Sequence, residues 1–233
     1  MIFVGRGSLL WRAVRAAHSR GHRVDLVCVS PSEGVPPDVA DAPLLRTVNV
    51  NHDHARVLDA ATDDVMWSID NRTILRAPLI GSGLRIYNIH NGLLPEHRGL
   101  PEMAVIFCLL RGDTEYGASL HVVDEGIDTG PVLDLERFAV TPEDRFQDVM
   151  LAGVKACHTL FERNLDAVCE GTAVPVAPAS RPDEYFGADR IRELIRLRDL
   201  PDTDRARFDR ATALGVFGPL YPEIADAVSQ PAR

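Results

Sequence analysis

The chain has no long apolar run, no closely paired cysteines and no excess of basic charge. Each absence removes a class of protein. No stretch of the 233 residues approaches the about 20 apolar residues that a helix needs to cross a bilayer. The opening run, Met1 to Val4, is too short for the core of a signal peptide. A cytoplasmic protein with no membrane partner is therefore expected. Cys28, Cys108, Cys157 and Cys169 are scattered and form no C-x-x-C pair, which points to reduced thiols filling apolar space rather than a metal or redox centre. With 25 Lys and Arg against 34 Asp and Glu, the net charge is -9 and the sequence pI near 5.3. Affinity for nucleic acid through phosphate neutralisation is not expected from such a balance. Internal repeats and low-complexity tracts are also missing.

What is present is a chain that is 45% hydrophobic and long enough for one core with a small appendage. Ile2 to Val4 reads as a buried strand that runs into Gly5-Arg6-Gly7-Ser8. Ser8 is a suitable N-cap for a helix carrying Leu9, Leu10, Ala13, Val14 and Ala17 at helical spacing, with Gly21 as its stop. Val24 to Val29 is a second strand. The glycine turn lacks the third glycine of a dinucleotide fingerprint, and Ser30-Pro31 stands where a ribose-binding acid is needed, so NAD is not expected. The turn is either a seat for an anionic group at the helix N-terminus, with Ser8 on the substrate, or a purely structural one.

Further strands are expected at Leu44–Val48, Asp64–Ile69 and Leu84–His90, with a helix over Asp53–Ala61. His52 and His54 have no evident third ligand, so no metal is expected. Pro101–Leu110 reads as a helix, and Tyr116–Val123 and Pro131–Phe138 as strands around an acidic, glycine-punctuated loop. Thr141-Pro142-Glu143-Asp144 has the composition of a helix start, and apolar residues then recur at helical spacing as far as Gly171. Pro175, Pro178 and Pro182 mark a linker. Beyond it, residues 181–210 mix eight arginines with eight acids, with helices expected over Asp189–Arg198 and Asp202–Leu214. The pattern is that of an α/β fold with a mostly parallel sheet covered by helices. A domain over residues 1–175 is expected, followed by a small helical C-terminal appendage over 176–233 that either caps the sheet or forms a homodimer contact.

Asn88 and His90 lie two apart at the end of a predicted strand and so share a face. Ligands of such sheets collect beyond the carboxyl ends of the strands. The acidic loop can bring a carboxylate to them, and amide, imidazole and carboxylate together suit acyl transfer. Taken singly, each has a structural alternative: a strand-end amide, a core histidine, a turn aspartate.

The combination Asn88-x-His90, Leu93-Leu94-Pro95-x-x-Arg98-Gly99 and Gly117-x-Ser119-x-His121-x-Val123-Asp124-x-Gly126-x-Asp128-x-Gly130 resembles the folate-dependent formyltransferase family. That family includes glycinamide ribonucleotide formyltransferase, methionyl-tRNA formyltransferase and the sugar N-formyltransferases. The resemblance is firm over residues 64–140 and implies a Rossmann-like formyltransferase fold. It implies catalytic roles for Asn88, His90 and Asp128, with His121 in support, and 10-formyltetrahydrofolate as the formyl donor. Asn71, Arg72, Ile74, Leu75, Ile86, Asp124, Gly126 and Ile127 then fall in the donor pocket. Arg98 either positions the acceptor or braces a carboxylate, and Glu102 either pairs with an amine or sugar hydroxyl or faces solvent. Leu9 stands where the ribonucleotide branch carries a phosphate-site asparagine, and the chain is short of the second domain of the tRNA branch. Ser68 to Arg72 and Asp124 to Gly130 look most like the sugar branch. The acceptor implied is a small-molecule amine, a nucleotide-linked amino sugar first, with an amino acid or natural-product or peptide intermediate as alternative. Hydrolysis of 10-formyltetrahydrofolate, with water in place of the amine, is the rival reaction.

Overall fold

The computed structural model describes residues 1–176, 183–200 and 204–229. Its strands are β1 (Ile2–Gly5), β2 (Leu26–Val29), β3 (Leu44–Arg46), β4 (Val65–Ile69), β5 (Arg85–His90), β6 (Arg98–Gly99), β7 (Glu115–Val122), β8 (Val132–Ala139) and β9 (Tyr185–Phe186). Its helices are α1 (Gly7–Ser19), α2 (His54–Ala60), α3 (Ala77–Ile80), α4 (Pro101–Arg111), α5 (Phe146–Cys169), α6 (Arg190–Asp199), α7 (Arg205–Ala211) and α8 (Pro222–Ser229). The main sheet runs β3-β2-β1-β4-β5-β7-β8, and β6 pairs separately with β9. The pairings among β1 to β5 are all parallel, and β7 lies antiparallel to β5. The result is a mixed, mostly parallel sheet with flanking helices and a small helical C-terminal region. No helix among the described residues is long and apolar enough to cross a membrane.

The chain separates into two compact units, each discontinuous in sequence. The first comprises Met1–His90, Ser119–Glu136 and Cys157–Ala179. Every residue of β1, β2 and β4 is buried, as a parallel sheet covered on both faces requires. Alternation sends Ile2, Val4, Cys28, Met66 and Ile86 to one core, shared with Leu75 and Leu79. Phe3 and Trp67 belong to the opposite alternation and meet Phe161 of α5, with ring centroids 6.0 and 4.8 Å away. Cys28 is buried and free, and burial pushes its thiol up to about 12, so it stays protonated as an apolar filler. Gly5 closes β1 against β4: a Cβ there would lie 1.8 Å from the Ile69 carbonyl oxygen.

Arg85 clips this unit together at the start of β5. It donates to both oxygens of Asp64 at 2.7 Å and to the Val168 carbonyl at the end of α5 at 2.9 Å. The Arg85 hydrogen bonds hold the Asp64 carboxyl below its ordinary range. Its folded value lies under the unfolded one of about 3.9. The pair therefore stabilises the fold above that pH, and its contribution is lost as the pH falls through the folded value. Asp64 is half exposed, so Asp64→Asn is expected to lower stability at pH 7 by no more than about 1 kcal/mol. Urea unfolding at pH 7 and pH 3 should show the two proteins converging in acid.

The second unit comprises Asn91–Ala118, Arg137–Ala156 and Ser180–Arg233. Met103 to Leu109 of α4 are all buried, so this helix is surrounded rather than amphipathic. Its core includes Phe146, Phe186, Leu194, Phe208, Tyr221 and Ile224, so α6, α7 and α8 share a core with α4. Gly112 ends α4 in the left-handed conformation at φ 76°, where a Cβ is disfavoured.

Three helix starts differ from those read in the sequence. The N-cap of α1 is Arg6, and Ser8 sits exposed in the first turn without capping it. Glu33 supplies the partner: its Oε1 accepts from the Gly7 amide at 2.8 Å and the Trp11 indole at 3.2 Å. A carboxylate suits the positive helix end better than a hydroxyl, and parallel pairing of β1 with β2 brings the following turn beside it. Thr141 to Asp144 form a turn, with Asp144 Oδ2 accepting from the Thr141 amide at 2.6 Å. Helix α5 begins only at Phe146, where Asp148 accepts from the Arg145 amide at 3.0 Å. Two acids at suitable spacing offered two caps, and the later one starts the helix. Helix α7 begins at Arg205, capped by Asp204, and ends at Ala211 before a 3-10 turn over Gly215–Leu220. Pro178 and Pro182 of the expected linker, and the expected start at Asp202, lie outside the described residues. Helix α8 and the β6–β9 pair went unread in the sequence.

Candidate active site

The antiparallel register of β5 and β7 sets Asn88 opposite His121 and His90 opposite Ser119. Asn88 Nδ2 lies 3.0 Å from His121 Nε2. His121 Nδ1 lies 2.9 Å from the Val122 carbonyl oxygen, an acceptor only, so Nδ1 carries a hydrogen. In the neutral ring Nε2 then accepts from the Asn88 amide, which fixes the orientation of that amide.

Asp128 arrives from the loop between β7 and β8. Its Oδ2 lies 3.6 Å from His90 Nδ1 and its Oδ1 3.5 Å from His121 Nε2. The side chains of His90, His121 and Asp128 are 5%, 3% and 12% exposed, so charges here interact with little screening by water. Asp128 sits at φ 54°, a left-handed conformation uncommon outside glycine and asparagine, aspartate being next most tolerant.

The loop holds Asp128 by its own bonding. Asp124 Oδ1 accepts from the Gly126 amide at 3.1 Å and the Thr129 hydroxyl at 2.6 Å. A Cβ on Gly126 would stand 2.0 Å from Thr129 Oγ1, and one on Gly130 1.9 Å from the Val122 carbonyl oxygen. Both glycines let the chain fold back tightly. The Val123 amide donates to the Ile86 carbonyl at 2.8 Å, tying the loop to β5. Asp124 thus shapes the loop, Gly126 is exposed on it and Ile127 is half-buried.

Of the other residues read as donor-pocket lining, Leu75 and Ile86 belong to the buried core of the first unit, whereas Ile74 is 45% exposed and Arg72 is exposed. The Asn71 amide is committed to its own turn, donating to Ser68 Oγ at 3.3 Å and the Thr73 carbonyl at 3.0 Å. The Gly7 amide, read as part of a seat for an anionic group, faces the carboxylate of Glu33. Within the second unit, Arg98 donates to both oxygens of Asp183 at 2.7 and 3.0 Å, and Glu102 lies in the first turn of α4. Glu33 and Asn51 carry local architecture that no spacing in the sequence announced, because both act on segments distant in the chain. His54 Nδ1 lies 3.0 Å from the Asn51 carbonyl, and no group of three or more His, Cys, Asp or Glu suited to a metal occurs among the described residues.

A parallel sheet extended by antiparallel β7 thus brings an amide, two imidazoles and a carboxylate together beside the end of β5. The chain belongs to the formyl transferase family, whose model, described as "Formyl transferase", matches residues 1–165. Over 57 residues, 24% of this chain and 18% of the other, it is 47% identical to a methionyl-tRNA formyltransferase of Myxococcus xanthus. The chain spans less than two thirds of the length of the curated relatives it matches, from 9% to 63%. Among solved structures, a 4-N formyltransferase from Francisella tularensis superposes with a TM-score of 0.73 at 18% identity, covering 91% of this chain and 87% of that one. An N-formyltransferase from Helicobacter canadensis, solved with folinic acid and dTDP-3-aminofucose, gives 0.70 at 16% identity, with 90% and 79% covered. At these identities the likeness is one of fold.

Proposed function

We propose that the protein is an N-formyltransferase that moves the formyl group of 10-formyltetrahydrofolate to the primary amine of a small molecule, a nucleotide-linked amino sugar. The observation that carries this reading is the convergence of Asn88, His90, His121 and Asp128 in one buried cluster. The Helicobacter relative, solved with a folate and a dTDP-amino sugar, supports the choice of donor and acceptor.

The fit to a folate rests on Leu75. Its backbone N–H and C=O bond no group among the described residues, although its side chain is buried. An adjacent open donor and acceptor match the fixed hydrogen-bonding edge of a pterin, which backbone groups can read whatever side chains they bear. When bound, the donor supplies an activated formyl group.

The residues do the rest. The Asn88 N–H not engaged by His121, with a ring N–H of His90, donates to the oxygen that gains negative charge as the amine adds; one such donor is worth about 3 kcal/mol. Asp128 sets its carboxylate 3.6 Å from His90 Nδ1 and takes the proton the amine loses, directly or through water. His121 orients the Asn88 amide. His121→Leu is expected to lower kcat by about tenfold to hundredfold with donor affinity unchanged, because it frees that amide to rotate.

Tetrahydrofolate release from 10-formyltetrahydrofolate tests the reaction, measured with no amine, with dTDP-linked amino sugars, with amino acids and with methionyl-tRNA. Release that requires an amino sugar supports the proposal. Rapid release without any amine makes the protein a hydrolase, and release only with another amine replaces the acceptor.

A further inference from the structure

The backbone around Leu75 is held by two asparagine side chains rather than by a neighbouring strand. Asn71 both donates to the Thr73 carbonyl and accepts from the Thr73 amide, each at 3.0 Å. Asn51 does the same on the far side: its Oδ1 accepts from the Arg76 amide at 2.8 Å and its Nδ2 donates to the Ile74 carbonyl at 3.0 Å. A strand partner would bond residues 74 and 76 in the same way, leaving residue 75 to point its N–H and C=O the other way. Leu75 does have both groups open among the described residues.

Asn51 is itself fixed. Its amide N–H and its Nδ2 both donate to Asn49 Oδ1, at 3.0 and 2.9 Å, and Thr47 Oγ1 accepts from the Asn49 amide at 3.1 Å while donating to Asp53 at 2.6 Å. Val50 beside it and Leu75 across from it are buried in the same core. Clamp and clamped segment therefore share one rigid base.

We infer that Asn51 is a positioning residue for the formyl donor, holding the Leu75 N–H and C=O in the arrangement that a pterin edge reads. The inference rests on the donor reading given above. Asn51 touches the Ile74 and Arg76 backbone, not the reacting atoms, so its loss acts on donor binding and leaves the chemical step alone. Its hydrogen bonds to residues 74 and 76 are solvent-exposed, and water replaces them in a variant at little cost to the fold. What changes is that the segment must be ordered when the donor binds.

The test uses the full chain with folinic acid as a non-transferring donor analogue, in calorimetric titrations of the unaltered protein, Asn51→Ala and Asn51→Asp. The aspartate keeps an acceptor for the Arg76 amide but cannot donate to Ile74, so it serves if the alanine variant folds poorly. Both variants are expected to bind folinic acid about tenfold more weakly and to raise KM for the donor by the same factor, as loss of a preorganised segment predicts. The acceptor KM and kcat at saturating donor should not move. Unchanged folinic acid affinity in both variants overturns the inference, as does a fall in kcat that tracks a fall in melting temperature. If the unaltered protein itself fails to bind folinic acid, the donor reading falls and this inference with it.

Discussion

Asp128→Asn and His90→Ala are each expected to lower kcat for formyl transfer by about three orders of magnitude, the scale of losing a positioned base or an oxyanion donor. Folinic acid binding should persist in both. Asparagine is the informative replacement at position 128 because it accepts the left-handed backbone that Asp128 adopts at φ 54°. It keeps the shape of the loop and removes only the charge and the proton acceptor. Asp128→Ala should lose the same activity and also about 1 kcal/mol of stability from strain at that φ. Asp128 faces both His90 and His121, so the double variant Asp128→Asn with His90→Ala should lose much less than the product of the single losses. Steady-state rates with a true acceptor, alongside calorimetric folinic acid binding, check all of these. Full activity in either single variant would remove Asp128 and His90 from the mechanism.

Phe161→Ala is expected to destabilise the first unit by about 3–5 kcal/mol, the range for emptying a buried phenylalanine site. Phe161 is 1% exposed and stands edge-on to Trp67, with centroids 4.8 Å apart at 66°, while Phe3 is 6.0 Å away. These contacts add the aromatic pair energy to the lost apolar area. Sheet and helix on either side cannot both collapse into the gap, because β1 and β4 are held by parallel ladders. Trp67→Phe is the matched control. It also loses ring area, but it removes an indole N–H that is buried with no hydrogen-bond partner among the described residues. That relief of an unpaired donor limits its cost to under about 1.5 kcal/mol. Urea midpoints for the three proteins measure the difference, and equal losses for the two variants would show that the N–H has no effect.

The resemblance over residues 64–140 and the match over residues 1–165 agree on the family. Asn88 and His90 could be assigned to one face from their spacing alone, since strand geometry has a period of two. Their exit at the end of a parallel strand followed from the order of apolar runs and helical repeats. The loop between β7 and β8 could be recognised from its acids and glycines, and Gly126 and Gly130 now have steric reasons, with a Cβ on either meeting Thr129 Oγ1 or the Val122 carbonyl oxygen within 2.0 Å.

By itself the sequence determined the α/β class and the strands and helices of the first unit to within a few residues, apart from the short α3, and it set an amide and an imidazole on one face of β5. Those are local properties: apolar periodicity, turn chemistry and the spacing of side chains along one element. Tertiary structure alone decided what those residues meet. It set His121 opposite Asn88 through the antiparallel register, and brought the Asp128 carboxylate between two imidazoles. It gave the Gly7 amide to Glu33, Asp183 to Arg98, and the backbone of residues 74 and 76 to Asn51. Each of these joins groups far apart in the chain, and the free energy that selects them comes from closing the sheet and burying its faces, which no local pattern encodes.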